Sequence, residues 1–228
     1  MKEGIINMKI LVIAAHPDDE ILGVGGTINK YIRRGEQVYV YIVTEGCSTQ
    51  YRGNSKILER KRKEALKANE ILGVEEIIFG NLPDMKLDTL PHFELNNEIL
   101  KIVDRVSPDI VFTHHYSDLN NDHRKVYEAT MVACRPLNNK IKEIYLYEVL
   151  SSTEWSGNEK NFVPNTFISL EEYDLEMKIK AIQEYKTELR EYPHPRSEKG
   201  IENLAKYRGQ IISAKYAETF ELIRKIEN

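Results

Sequence analysis

Short apolar runs alternate with longer helical patterns over the first two-thirds of the chain. The apolar runs predict strands at residues 9–15, 37–43, 76–79, 109–113 and 144–149. Between them, apolar residues recur with helical spacing and predict helices at residues 20–34, 55–72, 93–106 and 121–134. Gly35, Gly73 and Pro136 follow three of these helices and are typical helix-ending residues. This repeated strand–helix–strand order indicates a mostly parallel sheet with right-handed crossovers.

The last third of the chain has a different character. A polar stretch at residues 151–165 precedes a helical pattern at 171–189, a proline-rich loop at 192–197 and a charged, amphipathic pattern at 198–226. We predict that this last pattern is helical and caps the sheet. Because no repeat or linker divides the chain, we expect residues 1–228 to form a single α/β domain. Its predicted architecture is a Rossmann-like three-layer fold with a mostly parallel sheet and a C-terminal helical cap.

Composition and charge narrow the functional classes. The 228 residues include 36 acidic and 32 basic side chains, and the net charge of -4 argues against a dedicated nucleic-acid-binding protein. No apolar run approaches the roughly 20 residues of a membrane span, and the N-terminus lacks the apolar core of a secretory signal. Cys47 and Cys134 form no CxxC pair and suit a reducing compartment, so we expect a cytoplasmic protein without a cysteine-based zinc site.

The first candidate functional motif follows the first predicted strand. His16 and Pro17 come directly after its apolar run and precede three carboxylates, Asp18, Asp19 and Glu20. Charged groups at the tip of a buried strand are unfavourable unless something neutralises them. His16 and Asp19 are three residues apart at the turn into a helix, a spacing at which two side chains can converge on one metal ion. The alternative is that the carboxylates only cap the helix.

A second polar cluster follows the predicted strand at residues 109–113. It consists of His114, His115, Asp118, Asn120, Asp122 and His123. Parallel strands end at the same edge of a sheet, so the two clusters meet there if their strands are neighbours. Two histidines and one carboxylate with an open position form the ligand pattern of catalytic zinc sites. Taken alone, His114 or His115 would more often pack in the interior or support a ligand than bind a metal.

The two motifs together resemble those of a known enzyme family. Ala15-His16-Pro17-Asp18-Asp19-Glu20 is similar to the signature of the LmbE-like/PIG-L family of zinc-dependent N-deacetylases. The segment at residues 114–124 resembles the second motif of that family. The likeness extends to segments at residues 82–89, 151–155 and 192–197, so it covers nearly the whole chain.

The resemblance implies a role for each matching residue. His16, Asp19 and His123 correspond to the metal ligands, and Asp18 corresponds to the general base that activates the attacking water. Asp122 corresponds to a supporting carboxylate of the catalytic site. The implied cofactor is Zn2+, but two imidazoles and one carboxylate also accept Fe2+, Co2+ or Mn2+.

One position departs from the family pattern. Many members have a histidine three residues before the last metal ligand, where this chain has Asn120. That histidine is a candidate proton donor or oxyanion partner, so another residue has to take its place. His194, which lies between two prolines, is the first candidate, with His115 and Asp18 behind it.

The substrate implied by the resemblance is a small molecule, either an N-acetylated amino sugar of the N-acetylglucosamine type or a conjugate of one. Several loop residues are candidates for binding it, namely Arg52, Asp84, Asp118, Asn120, Trp155 and Arg196. The basic run at residues 59–63 is expected to be a solvated helix face, with contact to a nucleotide phosphate or a lipid headgroup as the alternative. Homo-oligomers are common in the family, although nothing in the sequence indicates an interface.

We therefore expect a metal-dependent hydrolase that removes an acetyl group from such a sugar. The alternatives are another amidohydrolase, a metal-dependent phosphoesterase, or a protein that binds metal or sugar without turnover. Phosphoesterases often use two metal ions, for which Asp84, Asp118 and Asp122 offer further carboxylates, so the number of ions per chain discriminates between the two enzymes. A dinucleotide enzyme is not indicated, because the glycines at residues 23–26 lie in a helical pattern without the binding motif.

Overall fold

A mixed sheet flanked by helices makes up the computed structural model, which describes residues 7–47, 49, 54–137, 140–157 and 161–227. The strands are β1 (Lys9–Ala14), β2 (Gln37–Thr44), β3 (Glu76–Leu82), β4 (Ile110–His114), β5 (Glu143–Tyr147), β6 (Thr166–Leu170) and β7 (Tyr216–Lys225). The helices are α1 (Asp19–Arg33), α2 (Ser55–Leu72), α3 (His92–Val106), α4 (Asn121–Ala133), α5 (Glu172–Ile182) and α6 (Glu198–Ile211). A short 3-10 turn lies at Leu87–Thr89.

The sheet has the strand order β3-β2-β1-β4-β5-β7-β6. β1 pairs in parallel with β2 and β4, and the parallel part extends to β3 on one side and β5 on the other. Among the strands described, β7 is the one with reversed direction, and it pairs antiparallel with both β5 and β6. The predicted α/β fold with a mostly parallel sheet is confirmed.

The order of the strands creates a crevice at the carboxyl ends of β1 and β4. The chain leaves β1 through α1 and returns to the sheet as β2 on one side, whereas β4 lies on the other side of β1. Such a switch point is where open α/β sheets bind their ligands. His16 follows β1, and the cluster that begins at His114 follows β4. The two motifs therefore meet at one edge of the sheet, because β1 and β4 are neighbours.

Helices cover both faces of the sheet. Ile10 and Val12 of β1 face a core that α1, α2, α5 and α6 complete, whereas Leu11 and Ile13 face a core shared with α3 and α4. Successive side chains of a strand point to opposite faces, so a strand covered on both sides has to be apolar throughout. This requirement explains the uninterrupted apolar run of β1, and the two cores make the three layers of the predicted fold.

The C-terminal third departs from the predicted elements. The helical pattern at residues 171–189 ends as α5 at Ile182, and the pattern at 198–226 ends as α6 at Ile211. The remainder of the final pattern forms β7, and β6 is a further strand that the sequence did not predict. The charged residues of β7 belong to the amphipathic pattern that suggested a helix. In the strand, the buried Glu218 forms an ion pair with Lys178 of α5, 2.6 Å away. A tertiary contact thus decides the conformation of this segment.

Two expectations from composition can be compared with the structure. Among the described residues, no helix is both long enough and apolar enough to cross a bilayer. Cys47 and Cys134 are both buried and carry free thiols. That residues 1–228 form one domain stays a prediction.

Candidate active site

The turn between β1 and α1 carries three side chains to the edge of the sheet. His16 follows β1, Asp18 precedes α1, and Asp19 is the first residue of that helix. Asp18 has a φ of 116°, a backbone conformation that non-glycine residues rarely adopt. The buried Glu20 side chain supports this conformation by accepting a hydrogen bond of 3.1 Å from the Asp18 N–H. Strain of this kind is typical of functional sites, and the Asp18 side chain makes no capping hydrogen bond to α1.

Three donor atoms from the two motifs form a nearly equilateral triangle. Nδ1 of His16 lies 3.3 Å from Oδ2 of Asp19, and Nε2 of His123 lies 3.3 Å from the same oxygen. The two ring nitrogens are 3.2 Å apart. Ligand atoms about 2.0–2.1 Å from a tetrahedral zinc ion lie about 3.3–3.4 Å from one another. These residues therefore fit a single divalent cation in both donor chemistry and spacing.

Each imidazole of the triangle has a carboxylate at its second ring nitrogen. Nε2 of His16 lies 3.1 Å from Oδ2 of Asp122, and Nδ1 of His123 lies 3.2 Å from Oδ1 of Asp118. Carboxylates in this position fix the tautomer and the orientation of a metal-binding histidine. Asp122 and Asp118 thus hold the two rings toward the centre of the triangle.

The two supporting carboxylates are themselves fixed by hydrogen bonds. Asp122 accepts backbone hydrogen bonds from Met85 (2.7 Å) and Leu87 (3.1 Å). Asp118 is fully buried and accepts hydrogen bonds from the Thr153 hydroxyl (2.6 Å) and the Ser152 hydroxyl. The structure therefore places Asp118 behind His123 and not in the wall of the cavity, where a substrate-binding residue was expected.

The surrounding charges favour a cation between the three donors. Burial by itself raises the pKa of the Asp19 carboxyl, but the imidazoles of His123 and His114 outweigh it and hold that pKa well below its usual range. Burial lowers the pKa of His123, yet Asp19 and Asp118 raise it to about 9. The pKa of His16 is raised in the same way, against burial, by Asp122 and Asp19. When both imidazoles are neutral, the carboxylates thus leave the site with a net negative charge, which a cation would balance.

Asp18 lies beside the triangle without belonging to it. Burial raises the pKa of its carboxyl well above the usual range, and the negative charge of Asp19 adds to this effect. Arg196 works in the opposite direction, since its Nη1 donates a hydrogen bond of 3.1 Å to Oδ2 of Asp18. A carboxyl group with a raised pKa beside a metal-binding cluster is suited to accept and return a proton near neutral pH.

A cavity of about 420 Å3 opens onto these side chains. Its size is in the range of pockets for small-molecule ligands. The predicted site residues that line it are His16, Asp18, Asp19, Asp84, Asn120, His123 and Arg196. The structure therefore brings the predicted ligands, the predicted base and three of the predicted substrate-binding residues to one cavity.

The predicted substrate-binding residues differ in their surroundings. Asp84 is buried in the cavity wall, with Oδ1 3.4 Å from Nε2 of His16, and together with Asp122 it forms a second group of donor atoms around that ring. Asn120 precedes α4 and caps its start, because its Oδ1 accepts a hydrogen bond of 2.9 Å from the Asp122 N–H. Arg52 lies outside the described residues.

Three other histidines have roles outside the triangle. His114 stacks on His123 with ring centroids 3.9 Å apart, and His115 is fully buried with Nε2 2.8 Å from Glu221. His194 is absent from the described residues that line the cavity, and its Nδ1 accepts a hydrogen bond of 3.1 Å from the Arg196 N–H. The predicted proton donor is therefore not among the described residues of the cavity lining.

Lys61 and Glu188 are cavity residues that the sequence analysis missed. The prediction that residues 59–63 are a solvated helix face is wrong for Lys61, which is buried with Nζ 3.0 Å from Oε1 of Glu188. A signal was present in the sequence, because Lys61 precedes the buried Ala65 and Ala68 by four and seven residues and so shares their helix face.

Comparison with known proteins relates the chain to a family. The sequence model of the family described as "PIG-L: GlcNAc-PI de-N-acetylase" matches residues 11–134, which include both motifs. A protein of Escherichia coli (strain K12) named "Uncharacterized deacetylase YaiS" is 33% identical in an alignment of 186 residues that covers 78% of this chain and 90% of that protein. The "Diacetylchitobiose deacetylase" of Thermococcus kodakarensis is 26% identical in an alignment of 226 residues that covers 94% of this chain and 83% of that protein.

The fold is also found in solved structures. The crystal structure of the conserved protein TT1542 from Thermus thermophilus matches with a TM-score of 0.78 and 21% identity, over 97% of each chain. At that identity the likeness shows the fold, whereas the family follows from the sequence match over more than half of the chain. The chain belongs to the PIG-L family of deacetylases.

Proposed function

We propose that the protein is a metal-dependent N-deacetylase that hydrolyses the acetamido group of an N-acetylated amino sugar of the N-acetylglucosamine type. The observation that carries this proposal is the position of Asp18, a buried carboxylate beside the His16, Asp19 and His123 triangle in the wall of one cavity. Membership of a deacetylase family and the similarity to a diacetylchitobiose deacetylase support the reaction and the substrate class.

We assign His16, Asp19 and His123 as the ligands of the metal ion. Zn2+ is the preferred ion because two imidazoles and one carboxylate at tetrahedral spacing match catalytic zinc sites, although Fe2+, Co2+ and Mn2+ accept the same donors. Such an ion, when bound, would polarise the amide carbonyl and make water more acidic. Asp122 and Asp118 would keep the two imidazoles oriented.

Asp18 carries the proton transfers in this proposal. It takes a proton from the attacking water as the new C–O bond forms, and it returns that proton to the nitrogen as the C–N bond breaks. The products are acetate and the free amine. Because Arg196 occupies Oδ2 of Asp18, Oδ1 is the oxygen available for these transfers.

The remaining predicted residues divide between binding and support. We propose Asp84 and Asn120 as groups that bind sugar hydroxyls, since both line the cavity. His194 was expected to donate a proton, but it is not among the described residues that line the cavity, so we assign the return of the proton to Asp18. The substrate contact of Arg52, a cytoplasmic location and formation of a homo-oligomer stay predictions.

Acetate release from a small panel of substrates tests the proposed function. The panel contains N-acetylglucosamine, N,N'-diacetylchitobiose, a UDP-linked form and an inositol-linked form, each with zinc-loaded and chelator-treated protein. We expect metal-dependent release from at least one member. The contrary result is zinc-loaded protein that releases no acetate from any member but releases phosphate from a phosphate ester. That result would favour the phosphoesterase instead.

A further inference from the structure

A chain of alternating charges leads away from Asp18 along the cavity wall. Nη1 of Arg196 lies 3.1 Å from Oδ2 of Asp18 and 3.5 Å from Oε2 of Glu188. Oε1 of Glu188 in turn lies 3.0 Å from Nζ of Lys61. All four side chains line the cavity, and the Arg196 side chain, 27% exposed, is the most accessible of them. Charge-assisted hydrogen bonds in such a partly buried site are stronger than the same contacts on the surface.

The backbone around Arg196 is held in place by its own segment. The Arg196 N–H donates a hydrogen bond of 3.1 Å to Nδ1 of His194, and its carbonyl accepts one of 3.3 Å from the Arg190 N–H. The next residue, Ser197, caps the start of α6, because its hydroxyl accepts a hydrogen bond of 3.0 Å from the Gly200 N–H. The Arg196 side chain therefore extends toward Asp18 from a backbone that hydrogen bonds hold in place.

Asp18 needs such a partner because it is surrounded by negative charge. Asp19 is its neighbour in sequence, and Glu20 and Glu188 also act on its carboxylate. The Asp18 N–H donates a hydrogen bond to Glu20, but this backbone contact does not set the direction of the carboxylate. The hydrogen bond from Arg196 to Oδ2 sets it.

We propose that Arg196 is a positioning residue that holds the Asp18 carboxylate for proton transfer, with Glu188 and Lys61 holding Arg196. The inference rests on the proposed function, because it assigns the proton transfers to Asp18. The alternative role of Arg196, direct binding of the substrate, is less favoured because its Nη1 is already shared by two carboxylates. The two roles differ in their kinetics, since a positioning residue affects kcat and a substrate-binding residue affects KM.

Replacement of Arg196 by alanine, combined with chemical rescue, tests the proposal. In Arg196→Ala we expect kcat to fall about tenfold to a hundredfold, because a small displacement of a catalytic group costs rate on this scale. We expect KM to change by less than about threefold and the metal content to stay at the wild-type level. Added guanidinium should restore part of kcat in Arg196→Ala, whereas urea at the same concentration should not.

Arg190→Ala is the matched control. Arg190 belongs to the same segment, but its side chain donates only to the backbone carbonyls of Thr187 and Leu189 in the described structure and does not line the cavity. We expect its kcat to equal that of the wild type, with no response to guanidinium. Glu188→Gln should lower kcat less than Arg196→Ala does, because the bond from Arg196 to Asp18 survives in it.

Three results would overturn the inference. A raised KM with unchanged kcat would make Arg196 a substrate-binding residue, and a kcat loss that guanidinium does not restore would make its role structural. If Arg196→Ala does not fold, Arg196→Gln replaces it, and wild-type kcat in that variant would also contradict the proposal, since a neutral amide cannot form the charge-assisted hydrogen bond to Asp18. Wild-type protein without acetate release from any substrate would instead refute the proposed function itself.

Discussion

Nδ1 of His16 and Nε2 of His123 lie 3.2 Å apart although 107 residues separate them in sequence. Both atoms lie 3.3 Å from one carboxylate oxygen, Oδ2 of Asp19. The three donors converge because β1 and β4 are neighbours, so the segments that follow these strands share one edge of the sheet. Since each donor belongs to a different side chain, and Asp18 lies outside the triangle, metal binding and proton transfer can be separated by mutation.

Replacing Asp18 should abolish turnover but preserve metal binding. In Asp18→Asn we expect kcat to fall by about 10²- to 10⁴-fold, the usual contribution of a general acid–base group. The metal content should equal that of the wild type, because Asp18 is not one of the three donors. Acetate release and elemental analysis of the same sample check both expectations, and an active Asp18→Asn protein would disprove the assignment of the base.

Replacing His123 should have the opposite effect on metal content. His123→Ala removes one of three protein donors, so we expect metal to be lost on dialysis, and activity with it. His92→Ala is the control, because His92 is an exposed residue at the start of α3. Elemental analysis after dialysis against buffer distinguishes the two variants. Full retention of metal by His123→Ala would show that the triangle is not the binding site.

Asp122, the carboxylate behind His16, should influence affinity for the metal without supplying a donor to the triangle. In Asp122→Asn we expect the metal affinity to fall about 10- to 100-fold, because the amide holds the His16 ring less firmly than a carboxylate does. The same change at Asp118 should weaken the support of His123 to a similar extent. Competition with a chromophoric chelator measures both affinities, and wild-type values would leave these carboxylates without a role in metal binding.

Replacing His194 distinguishes two sources of the proton that the leaving amine takes up. In His194→Asn the side-chain oxygen replaces Nδ1 as the acceptor for the Arg196 N–H, so the segment should keep its conformation. If Asp18 returns the proton, kcat should stay within about twofold of the wild type, because no acid–base group has been removed. A fall of about a hundredfold would instead assign the proton donor to His194, as the sequence alone suggests.

Features set by local sequence could be predicted well. The apolar run of β1 shows a strand buried on both faces, and α2 has the predicted bounds because Asn54 caps its start and Gly73, with a φ of 84°, ends it. His16 and Asp19 could be proposed because they directly follow a buried strand, whereas His123, nine residues after β4, was singled out by the resemblance to the family. Their convergence required only that the two strands be neighbours.

Features that depend on distant partners could not be predicted. Glu218 fits a strand interior only because Lys178 neutralises it, and Lys61 fits a buried helix face only because Glu188 lies opposite. Neither partner is near in sequence, so each charged residue suggested a solvated surface. Arg196 was only one of several candidates for substrate binding, and its contact with Asp18 joins residues 178 positions apart.

The number of metal ions that activity requires tests the central claim most directly. His16 is shared by the proposed triangle and by the second donor group with Asp84 and Asp122, so the structure offers donors around both of its ring nitrogens. Zinc is titrated into chelator-treated protein while bound metal and acetate release are recorded together. We predict that activity is absent without metal and reaches its maximum at one ion per chain. Full activity without metal, or activity that appears only with a second ion, would contradict a single metal centre assisted by Asp18.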